Sequence, residues 1–593
     1  MTGFFATTDA TRWRQRTGAV QAATPDQDPC VPPGARRDGS VLTHVRAGSD
    51  GGWRPAAPPV TSPDGALTLV LSGEIHNYRE LADRYGWVGI ASDRDLLVAL
   101  LRRHPDRIGE LRGMFAFVAW DHQRQELLAA RDAFGIASLY VLRHASGELT
   151  LATQISHLVE DGDARLLDRL GVGAFLAFGH TGPGLTAYAA IQKVEPGALH
   201  RWRRTGLGFT RSAKRFVVTP VLAPDLETAL RESVRVQLGS GAQVGTFLDA
   251  SIDSTLLACL ASQEQPGLPS YTAVLTEQAG CEAADVASHN AALLGVEHHL
   301  VPTSLSDLAG AARSFVQQQG EPFADPSTLP GVQLSLAAGG HLEAVLDVVG
   351  ARQLFGGSRQ DRVSSGLAGM RLGRLLRPQQ VSDSWGLRQT GQAWERTLGA
   401  VLAGGGFAGH AALRNGDLAL LGRLDRRVRA DVEALTSSGW QTAAPDAAGR
   451  AHCYDLDVVL PNQALEATVG GLRLAGLQGR LPFLEPAAVA AARLPNTSGA
   501  PLRSLLLALL PGVRLASRSA SPTMDVRSLV DHHFADQVER QLVDPAAALS
   551  QWVGHPDLGV ARRRAARSPA FAFRLAMLDH WQVTFGRNAL WQR

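Results

Sequence analysis

Apolar and polar residues alternate along the first part of the chain in short blocks that predict a mixture of strands and helices. The predicted strands lie at 41–46, 67–71, 114–121 and 126–131, and the predicted helices at 77–85 and 94–103. A polar turn separates the last two strands, so we expect them to pair. The pattern predicts an α+β domain over residues 1–205.

A different pattern follows, in which helices and short apolar strands succeed each other singly. The predicted order is helix 226–238, strand 243–248, helix 254–261, strand 271–275 and helix 281–294. This alternation predicts a parallel sheet with helices on both faces, an α/β architecture in which ligands bind at the carboxyl ends of the strands. We expect this domain to span 223–593, with mostly helical segments over 365–450 and 455–593, and we expect the basic, aperiodic segment 206–222 to be a linker.

Composition narrows the class of protein. The chain has 593 residues, 45% of them apolar and 19% charged, with a formal net charge of +2. This balance is typical of a globular protein and provides no global field for nucleic acid or a membrane surface. Residues 1–21 lack the apolar centre of a secretion signal, and no apolar run is long enough to span a membrane. Cys30, Cys259, Cys281 and Cys453 lie far apart, so we expect free thiols and a cytoplasmic location.

Four motifs occur in one order in the first domain: S-G-E-I-H-N-Y-R-E-L at 72–81, S-D at 92–93, L-R-G-M-F-A-F-V-A-W-D at 111–121 and R-D-A-F-G-I at 131–136. Together they resemble the glutamine amidotransferase domain of asparagine synthetases. The resemblance implies the fold of the N-terminal-nucleophile hydrolases.

The resemblance also implies a nucleophile that this chain lacks. The family uses a cysteine that becomes the first residue after removal of Met1, with the free α-amino group as the base. Thr2 stands at that position, and a hydroxyl is not ionised near neutral pH as a thiol partly is. Two interpretations are open: Thr2 is only a small N-terminal residue, or it is the nucleophile of a threonine-dependent hydrolase.

The glutamine pocket that the resemblance implies is partly kept. Its candidate residues are Arg46, Gly73, Glu74, Asn77 and Asp93, of which the arginine would bind the glutamine carboxylate. Ser72 replaces an asparagine that the family uses before the Gly-Glu pair, so the oxyanion donors are incomplete. The alternative is that the polar residues persist because they cap turns and helices.

The segment 244–254 follows a predicted strand, opens a helix and is similar to the S-G-G-x-D-S loop that binds nucleotide phosphates in ATP pyrophosphatases. In such loops, backbone N–H groups hold the anion and glycines allow close approach. Here Asp249, Ala250 and Ser251 follow Leu248 in place of the serine and both glycines, whereas Asp253 and Ser254 are kept. A carboxylate facing phosphate at about 4 Å is repelled by roughly 1–4 kcal/mol. Asp253 matches a family Mg²⁺ ligand, or it is kept to cap the helix.

The segment 345–357 is similar to the family's V-L-S-G-D-G-A-D-E-L-F-G-G, and Gly350 is kept. The acidic positions are Val349, Arg352 and Gln353 instead. Because Mg²⁺ requires anionic oxygens, the resemblance to a magnesium site fails here, and Arg352 could at best replace the cation by touching phosphate.

The remaining family positions show the same losses. E-P-F-A-D-P-S at 321–327 and the segment 460–484 match the family, but its polar residues read Ala467, Val469, Gly470 and Gln478, while Arg480 is kept. The family also uses a late lysine, whereas the only lysines here are Lys193 and Lys214. Arg514 and Arg518 are the nearest cations in the corresponding stretch.

These patterns leave three hypotheses. The first is a protein without catalytic activity that acts as a scaffold or regulatory partner, in contact with another protein or as a homodimer, and not with nucleic acid or a membrane. The second is an ATP-dependent amide-bond-forming enzyme that needs no glutamine, like β-lactam synthetases and lasso-peptide cyclases. The third is the Thr2 hydrolase. ATP and Mg²⁺ are implied by the resemblance alone, and we expect no cofactor from the residues themselves.

Overall fold

The computed structural model describes residues 3–8, 36–37, 40–47, 53–55, 59–159, 164, 166–206, 208–216, 218, 225–239, 242–277, 282–356, 430–432, 434, 447–492, 500–515, 524–552, 558–586 and 590–591. The chain divides into two compact units. Unit one comprises Met1–Asp168, Gly184–Pro220 and Asn588–Arg593, and unit two comprises Arg169–Pro183 and Val221–Arg587.

The strands are numbered here in chain order. They are β1 Gly3–Thr7, β2 Arg36–Arg37, β3 Ser40–Ala47, β4 Trp53–Pro55, β5 Val60–Thr61, β6 Leu67–Ile75, β7 Gly113–Asp121, β8 Glu126–Arg131, β9 Tyr140–Arg143, β10 Leu149–Ala152, β11 Leu166–Leu167, β12 Ile191–Lys193, β13 Ala198–Thr205, β14 Gly208–Arg215, β15 Val244–Phe247, β16 Pro269–Leu275, β17 Glu297–Thr303, β18 Ala344–Leu346, β19 Gln478–Arg480 and β20 Leu590–Trp591.

The α-helices are numbered in the same way. They are α1 Tyr78–Tyr85, α2 Asp93–Arg103, α3 Arg169–Phe178, α4 Leu226–Leu238, α5 Ile252–Glu264, α6 Glu282–Leu294, α7 Leu305–Gln319, α8 Leu329–Ala338, α9 Ala351–Phe355, α10 Ala447–Tyr454, α11 Leu465–Leu474, α12 Pro486–Ala491, α13 Ala500–Leu509, α14 Val526–His533, α15 Ala535–Val543, α16 Ala548–Trp552, α17 Leu558–Arg567 and α18 Pro569–Trp581. A wider π-type helix, Asp455–Ala464, joins α10 to α11.

Unit one is built on two antiparallel sheets. One has the order β12–β9–β10–β1–β3–β2, with β4 paired to β3, and the other has the order β14–β13–β8–β7–β6–β5. Strands β11 and β20 form a separate, short parallel pair. The predicted α+β architecture is confirmed for this part of the chain.

Strand β7 shows why its sequence is apolar almost throughout. Phe115 and Phe117 belong to a core that includes the leucines of α1 and α2, whereas Val118 and Trp120 belong to a second core with Phe4 of β1. Side chains alternate between the two faces of a strand, so both faces of β7 are buried. The helices therefore cover one face of this sheet and the other sheet covers the opposite face.

Unit two contains the predicted parallel sheet, with the order β17–β16–β15–β18–β19. Strand β15 pairs in parallel with β16 on one side and β18 on the other, and Thr246 lies opposite Leu346. The loops that follow β15 and β18 therefore leave the sheet side by side at its carboxyl edge. This edge is where ligands bind in open parallel sheets.

The segment predicted as a linker, 206–222, differs from the prediction. Residues Gly208–Arg215 form strand β14, which pairs with β13 along its whole length at the edge of a sheet. Only Phe209 among them is buried. The sequence of this strand shows no apolar alternation because an edge strand needs few buried side chains. Its charged residues also protect the open edge from pairing with another chain.

Helices of the C-terminal part pack into unit two as predicted for 455–593. Phe573 of α18 meets Phe323 and Phe534 edge to face, and Trp581 Nε1 donates to the Gly320 carbonyl at 2.9 Å. Most of the segment 365–450 lies outside the described residues. Within the part of the chain that is described, every helix is too short or too polar to cross a membrane.

Gly73 provides a test of the β6–β7 pairing. Its φ is +90°, and a Cβ atom there would lie 1.9 Å from the Met114 carbonyl oxygen. We expect Gly73→Ala to lower the free energy of unfolding by several kcal/mol, because backbone must move in addition to the left-handed strain of about 1–2 kcal/mol. Urea denaturation followed by circular dichroism measures this.

Gly86→Ala is the matched control. Gly86 ends α1 with a φ of +64° and has no atom within 4 Å of an added Cβ. It should show only the left-handed strain. Equal losses for the two variants would contradict the close approach at Gly73.

Candidate functional site

Three of the residues predicted for the glutamine pocket, Gly73, Glu74 and Asp93, lie where β6 ends. Gly73 and Glu74 lie near the end of β6. Asp93 begins α2, and its carboxylate accepts the Ile75 N–H at 3.2 Å. Burial raises the pKa of Asp93 and the charge of Glu74 raises it further, against the N–H groups of Ile75 and Arg94. The structure thus brings two carboxyl groups and a glycine together in unit one.

Asn77 has a structural task in this place. Its side-chain amide donates to the Glu110 carbonyl at 2.9 Å and accepts the Arg112 N–H at 2.9 Å. It therefore fixes the turn before β7 and is itself buried. The fold alone accounts for this residue.

The structure does not describe Thr2, and it describes only the backbone of Arg46. Thr2 lies outside the described residues, as do Cys30, Cys281 and Arg518. Arg46 lies in β3, where its backbone is opposite Arg54 of β4.

The loop after β15 is closed by its own side chains. The Ser251 N–H donates to Asp249 Oδ1 at 2.9 Å, and the Ser254 hydroxyl donates to the same carboxylate oxygen. Ser251 also caps α5 by accepting the Ser254 N–H at 3.2 Å. Backbone donors that hold an anion in loops of this shape are therefore used within the loop.

Leu248 and Ala250 fill the buried side of the loop that follows β15. Both side chains are buried, and the Leu248 carbonyl accepts the Thr272 hydroxyl of β16. The side chain of Ala250 fills space that a glycine would leave open for a ligand.

The loop after β18 contributes a carboxylate that the motif comparison did not single out. Asp347 directly follows the strand, and its Oδ1 accepts the Val349 N–H at 2.8 Å. Gly350 follows with a φ of +96°, and a Cβ there would lie 2.4 Å from Leu484 Cδ2. Gly350 is thus required by the turn into α9, where Gln353 is buried and Arg352 is exposed.

Three carboxylates and one guanidinium share this edge of the sheet. Burial raises the pKa of Asp253 to about 6, with a further rise from the charge of Asp249 and an opposing effect from Arg352. Burial likewise raises the pKa of Asp347 to about 6, and Asp249 adds to that rise. Asp249 therefore repels both Asp253 and Asp347, and Arg352 compensates only part of the effect on Asp253.

This arrangement does not fit a magnesium nucleotide. Across the described ranges, no group of three or more His, Cys, Asp or Glu side chains is arranged to hold a metal ion. The donors for phosphate are taken by Asp249, and the net charge of the cluster repels an anion. The position of Arg352 corresponds to a family acid and gives the cluster a fixed cation instead.

The family's polar positions near α11 have been absorbed into the core. Ala467 and Val469 are buried, and a side chain on Gly470 would meet Gln319 Nε2 at 1.8 Å. Arg480 is the last residue of β19, and its buried side chain donates to the Gln237 carbonyl at 3.1 Å and to Gln478 Oε1 at 3.2 Å. The retained arginine is thus a structural residue.

Arg514 does not supply the missing lysine's charge to this site. Its side chain is exposed, and its backbone N–H and carbonyl are both bonded to the Asn290 amide at 2.9 and 2.8 Å. It is not among the residues that line the cavity at the sheet edge.

A cavity of about 200 Å³ lies at the carboxyl edge of the parallel sheet in unit two. Asp249 and Asp347 contribute its only charged side chains among the described lining residues. Its remaining wall is formed by apolar residues and by the hydroxyls of serine and threonine. Its chemistry thus differs from that of an anion site.

Comparisons with known proteins agree with the two-unit organisation. Residues 7–213 match the family described as "Glutamine amidotransferase domain", and residues 225–497 match "Asparagine synthase".

Individual relatives cover less of the chain. Asparagine synthetase [glutamine-hydrolyzing] 1 of Bacillus subtilis is 30% identical over 310 residues, which are 50% of this chain and 49% of the relative. A putative asparagine synthetase of Mycobacterium bovis is 31% identical over 50% of this chain and 48% of its own length. Amidase chry2 of Gibberella zeae is 28% identical over 52% and 50%, respectively. The chain spans about half the length of the curated relatives it matches.

A solved structure of the allosteric regulatory enzyme of purine biosynthesis covers 54% of this chain and 72% of its own, at 16% identity and a TM-score of 0.24, which is too low to support an argument. The two family matches follow the order of the two units described above, except that the first match includes residues 169–183, which belong to unit two. By this agreement of domain order with two family matches, the chain belongs to the asparagine synthetase family.

Proposed function

We propose that this chain is a member of the asparagine synthetase family without glutaminase or ATP-dependent synthetase activity, and that it acts as a scaffold or regulatory partner of another protein. The observation that carries the proposal is the Asp249 carboxylate, which accepts the Ser251 N–H at 2.9 Å. An anion that belongs to the protein occupies donors that a phosphate would need.

The other losses support the same conclusion because they affect separate parts of the chemistry. Thr2 replaces the nucleophilic cysteine, Arg352 replaces a metal-binding acid, and no lysine follows Lys214. Catalytic residues act together, so an enzyme that has lost several of them gains little activity from the catalytic residues that remain. The residues that survive, such as Asn77 and Arg480, have structural tasks.

The alternative of a glutamine-independent amide-bond-forming enzyme accounts for Thr2 but requires a working nucleotide loop. Nothing described at Asp249 or Arg352 favours it. For the first unit, we propose that Glu74 and Asp93 form a small-molecule site without hydrolysis. A cytoplasmic location is part of the proposal. It agrees with a reduced thiol at Cys259, which forms no disulfide within the described residues.

The first test is calorimetric titration with ATP and Mg²⁺, with a pulldown from the native host on the same preparation. We expect no binding tighter than about 1 mM, roughly −4 kcal/mol, and one specific protein that co-purifies. Asp285→Asn, an exposed carboxylate on α6, is the control variant for both assays. Magnesium-dependent binding below 1 mM would refute the proposal and favour the amide-bond-forming alternative.

The second test separates anion binding from catalysis. Asp249→Ser frees the Ser251 N–H, so we expect at least a tenfold gain in affinity for pyrophosphate. We expect no amide synthesis, and the same result for Arg352→Asp, because the lysine and the other acids remain absent. Product formation from aspartate, ammonia and ATP is measured by mass spectrometry. Turnover after one reversion would show that the site had not lost its chemistry.

The third test concerns the charge of Asp253, which Arg352 compensates only in part. Its native pKa of about 6 exceeds the unfolded value of 3.8, so the native state loses stability as pH rises from about 4 to 6 and stays penalised above. Asp253→Asn should therefore stabilise the protein by roughly 1–3 kcal/mol at pH 7.5 and much less at pH 4.5. Urea denaturation measures the difference in stability between Asp253→Asn and the wild type. Added Mg²⁺ should not change that difference.

Asp307→Asn is the control of opposite sign. The Ser304 hydroxyl and N–H lower the pKa of Asp307, so its charge stabilises the native state above pH 4 and the variant should be less stable at pH 7.5. A destabilising effect of Asp253→Asn at pH 7.5 would contradict the repulsive cluster.

A further inference from the structure

The cavity at the carboxyl edge of the parallel sheet combines two carboxylates with a mostly apolar wall. Asp249 and Asp347 lie in its wall, and Phe247, Leu248, Val332 and Leu334 supply apolar surface. The described lining residues include no Lys, Arg or His. Arg352, which acts electrostatically on Asp253, is not in this wall.

The substitutions relative to the family created this chemistry. Ala467 lines the cavity where the family has a polar residue, and Thr468 and Gly471 lie beside it. Gly470 cannot accept a side chain because Gln319 fills that space. The apolar wall is therefore part of the packed structure.

Physical chemistry restricts what this cavity can hold. A neutral apolar ligand would remove water from two carboxylates and offer them no opposite charge, and an anion would also be repelled. A divalent metal needs several oxygen ligands, and no such group is found within the described residues. An organic cation with an apolar body would pair with the carboxylates and fill the remaining space.

We infer that this cavity binds an organic ammonium compound, with its cation at Asp249 and Asp347 and its apolar part against the wall formed by Phe247, Val332 and Leu334. Size supports the inference, since an engineered cavity of about 150 Å³ binds benzene and this one encloses about 200 Å³. A ring with a short aminoalkyl chain fits that space. Phe247 can add a cation–π contact. The inference rests on the proposed loss of nucleotide binding at the same site.

The experiment compares three probes of one shape on the full chain at pH 7.5 by calorimetry. They are 2-phenylethylamine, the neutral 2-phenylethanol and the anionic 3-phenylpropionate. We expect the amine to bind at least tenfold more tightly than the alcohol, and the carboxylate to bind least. The pKa of Asp347, about 6, leaves this group ionised in the assay.

Asp347→Asn tests the assignment without disturbing the turn, because the amide oxygen can still accept the Val349 N–H. We expect the variant to lose at least tenfold in affinity for the amine and nothing for the alcohol. Asp285→Asn should behave like the wild type. Thermal melting of each variant confirms that it is folded.

The outcomes separate the two proposals. Equal affinity for amine and alcohol, no binding of either, or a preference that survives in Asp347→Asn would overturn the inference while leaving the proposed function intact. Displacement of the amine by ATP with Mg²⁺ would overturn the proposed function, because it would show that the site still takes a nucleotide.

Discussion

The hydrogen bond from the Ser251 N–H to the Asp249 carboxylate is the contact on which the proposed loss of nucleotide binding depends. It joins the end of β15 to the start of α5 at the point where neighbouring parallel strands end. Loops at this place normally offer their N–H groups to an external anion. Here the anion is covalently part of the loop, so its effective concentration is permanently high and a mobile phosphate competes at a disadvantage.

The fixed position of Asp249 also affects the charged groups around the Ser251–Asp249 hydrogen bond. Burial raises the pKa of Asp253 and of Asp347, and because Asp249 cannot leave, its fixed negative charge raises both pKa values further. Arg352 supplies one positive charge where the family would bind a metal through an acid. The site therefore contains fixed substitutes for both phosphate and metal, and their charges do not balance.

Local patterns were sufficient for most of the fold. The apolar run of β7, the helix α4 and the single alternation of strands and helices around β15 predicted both architectures, and the family motifs located the loop at Asp249. Asp347 was not recognised, since its importance comes from parallel pairing of β18 with β15, which joins residues about a hundred positions apart. Strand β14 was missed because an edge strand carries little apolar pattern. Gly470 could not be interpreted from sequence, as its meaning depends on where Gln319 lies.

The Gln319 side chain links two positions that lie in different helices. It occupies space that a residue with a side chain at position 470 would need, and Phe315 lies 2.9 Å from the same point. A polar side chain at 470 would therefore require a smaller residue at 319. Because of this packing, α7 and α11 can change the size of these two residues only together.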